Sequence, residues 1–92
     1  MTSSADVEKR NQIADVRFDR ERMHVLLRDG REISVPLWWY PRLLNATRDQ
    51  REGWEITPFG DALHWEEIDE DLDVQGFLIG AKAPDAKAPV EA

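Results

Sequence analysis

Asp69, Asp71 and Asp73 alternate in the run Asp69-Glu70-Asp71-Leu72-Asp73, the spacing of the first three ligands of an EF-hand calcium loop. That loop also needs glycine at its sixth position and glutamate at its twelfth, where this chain has Val74 and Gly80. The run is therefore read as a turn in which Asp69 or Asp71 accepts backbone N–H groups while the other carboxylates are solvated. Just upstream, His64-Trp65-Glu66-Glu67 offers imidazole and carboxylates, the side chains of general acid–base chemistry. No spacing holds two of these groups, or Glu55, at a working distance from one another, so His64 is expected to be a structural hydrogen-bonding residue beside Trp65. His24 and His64 are the only histidines, which rules out a three-histidine metal site. The absence of cysteine removes thiolate ligands, disulfides and a cysteine nucleophile. Ser3 and Ser4 lie in a polar arm, Ser34 lacks a nucleophile-elbow context, and no glycine-rich phosphate loop is present. The expectation is a non-enzyme with no catalytic, cofactor-binding or metal-binding residues and no small-molecule substrate.

The remaining chemistry is that of contact. Pro36-Leu37-Trp38-Trp39-Tyr40-Pro41 sets three consecutive aromatics between two prolines. Neighbouring side chains point in different directions, so a small core cannot take in all three rings, and an exposed ring marks a contact surface. Trp38 and Trp39 stay open between core and contact at this point, whereas Trp54 and Trp65 fall where the alternation turns inward and are expected in the core. Charge gives a second candidate surface. The chain carries a net charge of −7, yet residues 1–53 hold ten Lys/Arg and nine Asp/Glu, and residues 54–92 hold two and ten. The stretch from Asp61 to Asp73 has seven acidic side chains and no basic one. Such a field draws in a basic partner and disfavours nucleic acid, whose phosphates need Lys or Arg. Arg42, Arg48 and Arg51 with Trp38 and Trp39 could stack on a single strand, but they could equally pair with Asp49, Glu52 or the acidic stretch. The candidate protein-binding residues are Trp38, Trp39, Tyr40 and Arg42 on one surface, and Glu66, Glu67, Asp69, Glu70 and Asp71 on the other.

The elements that must carry these groups are legible in part. Residues 1–11 read as a flexible arm, 12–80 as a single α+β domain, and 81–92, with its Ala-Lys-Ala-Pro repeat, as a disordered tail. Within 13–18, Ala14, Val16 and Phe18 alternate with polar residues, as a half-buried strand does. Met23, Val25 and Leu27, then Ile33, Val35 and Leu37, extend this to a three-stranded meander. Asp29-Gly30 between them predicts a type I′ hairpin. Pro41 suits a helix start, and a helix over 41–52 should bury Tyr40, Leu43, Leu44 and Thr47 and end at a left-handed Gly53. Trp54 to Pro58 forms a fourth strand and Leu63 to Trp65 a short further one. Asp73 caps a short helix over 74–79, stopped by Gly80. The fold expected is α+β, an antiparallel sheet of three to five strands with one main helix and a short C-terminal one. The early residues lack a signal peptide's basic start and apolar run, and no apolar run is long enough to cross a membrane, so the expected location is the cytoplasm.

Asp29-Gly30-Arg31, Val35-Pro36-Leu37, Pro41-Arg42-Leu43, Ala46-Thr47, Arg51-Glu52-Gly53-Trp54 and His64-Trp65 followed by Ile68-Asp69-Glu70-Asp71-Leu72 resemble the bacterial family called domain of unknown function 2442. The resemblance spans about residues 13–80. It implies a compact α+β domain and brings no established activity. It also implies a possible partner, since members are often encoded beside another small uncharacterised protein, an arrangement proposed to be toxin–antitoxin-like. That family usually has one aromatic before the proline matching Pro41, and Trp38-Trp39-Tyr40 is richer. The functional expectation is a protein-interaction module, an antitoxin-like partner of a neighbouring small protein. One alternative is self-assembly into a homo-oligomer or filament through Trp38-Trp39-Tyr40. The other is a nucleic-acid-binding regulator.

Overall fold

The alternation of Met23, Val25 and Leu27 produces the middle strand of three. In the computed structural model, which describes residues 11–90, β1 (Ile13–Phe18), β2 (Arg22–Leu27) and β3 (Glu32–Pro36) form an antiparallel meander in that order. Met23, Val25 and Leu27 are all buried, with Val35 opposite Met23 on one side and Val16 opposite Val25 on the other. The expected inward Ala14 is corrected. The register shifts between Ile13 and Asp15, so Ile13 and Val16 both reach the core and Ala14 is exposed. A bulge of this kind resets the two-residue period by one. Residues 1–10 of the expected arm lie outside the described residues.

The β2–β3 connection is not a type I′ turn. Gly30 has a φ of 95° but Asp29 does not take a positive φ. The Gly30 N–H donates to the Leu27 carbonyl at 3.0 Å, and the Leu27 N–H to the Arg31 carbonyl at 2.8 Å. This is the three-residue loop in which only the last position is left-handed, so only that position needs glycine.

After Pro36 a 3-10 turn spans Leu37–Trp39, followed by α1 (Pro41–Leu44) and α2 (Arg48–Arg51). The single helix expected over 41–52 is thus two short ones. Thr47 restarts the helix: its hydroxyl accepts the Gln50 N–H at 3.1 Å while the Gln50 side chain accepts the Thr47 N–H at 2.9 Å. A side chain so used cannot also pack inward, and Thr47 is exposed, as is Leu44. Gly53 does not take the left-handed conformation; among glycines that conformation falls to Gly30, Gly60 and Gly80.

The second half folds as another meander, β4 (Trp54–Ile56), β5 (Ala62–Trp65) and β6 (Glu70–Asp73), capped by α3 (Val74–Ile79). Glu70–Asp73, expected as part of a turn, is an edge strand. Leu72 faces Leu63 and Glu70 faces Trp65, while Asp71 faces His64 and Asp73 faces Ala62. One apolar contact at Leu72 suffices to seat the strand although its other residues are acidic. Asp73 caps α3 through a 2.6 Å bond from the Gly76 N–H, and Gly80 ends it at φ 75°, both as the sequence indicates. The fold class is α+β as expected, with six strands divided between two three-stranded sheets.

The two sheets share one core, in which Ile13, Val16, Met23, Val25, Leu27 and Val35 meet Leu63 and Trp65. Backbone bonds also join them, the Ile13 N–H donating to the Gly60 carbonyl at 2.7 Å. The chain beyond Gly80 returns to the domain: the Ala83 N–H donates to the Trp39 carbonyl at 3.0 Å, three residues past the expected boundary. Among the described residues no helix is long and apolar enough to cross a membrane.

Candidate protein-contact site

A 3-10 turn advances about 120° per residue, so consecutive side chains leave it in three directions. The turn after β3 uses this to sort its aromatics. Leu37 and Tyr40 point inward and are buried, while Trp38 and Trp39 are each half-buried. Trp39 rests on the core and lies beside Gly80. Trp38 meets Trp39 edge to face, ring centres 6.5 Å apart, and is not part of the core cluster. The Lys82 ammonium stands 5.0 Å from the centre of the Trp39 ring, within cation–π range. Tyr40, expected on the contact surface, is only 2% exposed and packs edge to face on Phe77. The helical periodicity that groups Tyr40 with Leu43 places it inward, and the structure bears out that placement over the contact one.

The acidic surface is an organised hairpin. His64 on β5 is clamped by two carboxylates, Nδ1 lying 2.6 Å from Asp71 Oδ1 and Nε2 2.7 Å from Glu66 Oε2. Those bonds, that to Glu66 foremost, push the imidazole up to about 9, so both nitrogens donate at neutral pH. Glu67 accepts from Gln50 Nε2 at 3.3 Å. Asp69 holds a φ of 51°, and the Arg42 guanidinium donates to its carbonyl. Arg42 therefore anchors the β5–β6 turn, which ties the aromatic segment to the acidic one. Glu66, Glu67, Asp69 and Asp71 are exposed; Glu70, on the inner face of β6, is half-buried.

The sequence reading weighed Arg51 as a nucleic-acid contact or a surface ion pair; the structure gives it a different task. Its guanidinium donates to the carbonyls of Leu43 and Leu44, both at 2.8 Å, and its own carbonyl accepts the Trp65 indole N–H at 2.9 Å. It closes the end of α1 and locks that end to β5. Trp65 is core, as expected, at 1% exposure, and Trp54 is half-buried against the core. The Trp54 indole N–H is sealed without a partner among the described residues. Among the described residues no group of three His, Cys, Asp or Glu side chains is placed to hold a metal ion.

The match to known proteins accords with this geometry. The family model described as "Protein of unknown function (DUF2442)" covers residues 13–83, from the first residue of β1 to the Ala83 bond on Trp39. The chain belongs to the DUF2442 family. A crystal structure of a protein of unknown function from Rhodospirillum rubrum is similar to this DUF2442 chain at 34% identity and a TM-score of 0.69, covering 82% of this chain and 93% of that one. A solution structure of an uncharacterized protein from Chromobacterium violaceum has a TM-score of 0.67 at 22% identity over 80% of this chain and 70% of that one, a likeness of fold alone. No protein with a curated description matches.

Proposed function

We propose that this DUF2442 chain is a non-catalytic protein-interaction module, an antitoxin-like partner of a small neighbouring protein. The observation that carries the reading is the half-exposed Trp38 indole, held by a rigid turn outside the core cluster. A large ring left partly in water forgoes hydrophobic stabilisation, and tryptophan in such a setting is a common anchor of protein interfaces. The acidic β5–β6 hairpin supplies the long-range attraction for a basic partner, and the Arg42 bond to Asp69 keeps the two surfaces in fixed relation. The location that goes with this role is the cytoplasm. Co-purification of the adjacent gene's product with this chain tests it: capture should weaken in 1 M salt, where screening shortens to about 3 Å. Failure to co-purify at low salt, with both proteins folded, contradicts it.

Self-association through the same indoles is the competing reading, favoured by the exposed Leu78 and Ile79 on α3, the helix whose terminal Gly80 meets Trp39. Light scattering on the purified chain at tens of micromolar separates the two, since a monomer removes the second.

A further inference from the structure

A cavity of 680 Å³ runs beside β6, within the size range of ligand sites. Four consecutive residues of β6, Glu70–Asp73, line it together with the returning segment 81–85, Tyr40 and Phe77. A strand face offers every second residue, so a cavity lined by consecutive strand residues follows the strand's edge. The outer edge of β6 is unpaired among the described residues, since β6 ends the order β4-β5-β6. The Val74 N–H donates to the Asp61 carbonyl, and alternation from that pair turns the backbone groups of Leu72 and Glu70 toward β5 and those of Asp71 outward. In keeping with this, the Asp71 N–H finds its acceptor in the Glu70 side chain, at 3.1 Å.

Two further features concern the occupant. Tyr40 as a whole is 2% exposed, and its hydroxyl makes no hydrogen bond among the described residues yet is not sealed, so a polar group lining the cavity is open to a partner. Burial, then the charges of Glu70 and Asp73, push that hydroxyl up to about 12 and keep it protonated. Glu70 Oε2 and Asp73 Oδ2 are likewise unengaged, their other oxygens serving Asp71 and Gly76. The two cations of the lining are committed elsewhere, Arg42 to Asp69 and Lys82 to the Trp39 ring.

Resting on the protein-binding reading, we propose that this groove receives an extended basic segment of the partner. The segment adds as a strand to the Asp71 edge of β6 and places one arginine or lysine between Glu70, Asp73 and the Tyr40 hydroxyl. Strand addition supplies backbone bonds and the pocket supplies selectivity for a cation, the usual division of labour in this mode of recognition.

The test titrates the full 92-residue chain, labelled for NMR, with a capped pentapeptide alternating arginine and valine, and with one alternating glutamate and valine. The arginine peptide should shift the amides of Asp71, Asp73, Gly76, Ala81, Lys82, Ala83 and Asp85, and the glutamate peptide should shift none. Tyr40→Phe removes only the hydroxyl and should weaken binding about threefold or more. Glu70→Gln, with the Asp73 cap intact, should weaken it about fivefold or more. The proposal is overturned if the arginine peptide shifts nothing, if it shifts only the exposed Glu66–Asp69 surface, or if both variants bind as wild type does. Shifts confined to the Trp38 and Trp39 indole N–H signals would also overturn the groove while leaving the interaction module standing. Loss of partner capture on Trp38→Ala with no peptide effect would do the same.

Discussion

His64 and Asp71 face each other across β5 and β6 with Nδ1 2.6 Å from Oδ1, and Glu66 takes the opposite ring nitrogen at 2.7 Å. His64 and Glu66, which read in sequence as potential acid–base groups, thus form with Asp71 a charge clamp on the outer face of a hairpin. The clamp makes His64 a cation at neutral pH, offsetting part of the acidic field around it.

A folded-state pKa of about 9, above the ordinary 6.5, fixes the sign of its linkage. The contribution is complete below pH 6.5 and disappears as pH rises through 9. Thermal unfolding of the wild type should therefore lose ground to His64→Gln across that window and run parallel to it below pH 6. An NMR titration of His64 should give a midpoint near the raised value; a midpoint near 6.5 contradicts the clamp.

Arg51 closes α1 through two carbonyls and receives the Trp65 indole on a third. Arg51→Lys retains the charge but not the planar fork. Losing a charge-assisted bond to these carbonyls should cost about 1.5–3 kcal/mol in urea unfolding, with the larger effect at Arg51→Ala.

Thr47→Ala removes the reciprocal pair with Gln50 and should destabilise by about 1 kcal/mol, lowering Tm by about 4–8 °C for a domain of this size. Thr47→Ser should be nearly neutral, because the cap survives.

The two half-sequence tryptophans that face each other, Trp54 and Trp65, differ in their indole N–H: one is sealed without a partner among the described residues, the other bonded to Arg51. Trp65→Phe should cost about 1–3 kcal/mol more than Trp54→Phe, since only the first change breaks a bond and strands a carbonyl. Equal losses by chemical denaturation would contradict the assignment.

What was legible in the sequence was whatever local chemistry decides. Met23, Val25 and Leu27 alternate strictly and form the strand they suggest; Asp73 and Gly80 bracket α3 because a cap and a left-handed stop act within one turn. The break of the 41–52 helix was readable too, in the Thr47-to-Gln50 spacing of a capping box, but the apolar periodicity masked it. Tertiary pairing hid the rest. Nothing in Glu70-Asp71-Leu72-Asp73 reads as a strand until β5 supplies Leu63 opposite Leu72 and His64 opposite Asp71. The groove at Tyr40 was likewise invisible, since it is closed by residues 81–85, which in sequence look like a tail that buries nothing.

The interaction account is tested most directly by capturing the adjacent gene's product on immobilised wild-type chain and on Trp38→Ala. Trp38 lies outside the core cluster, so the variant should keep its Tm within a few degrees and lose most of the capture. Undiminished capture by a folded Trp38→Ala chain would contradict the claim that this indole is the anchor.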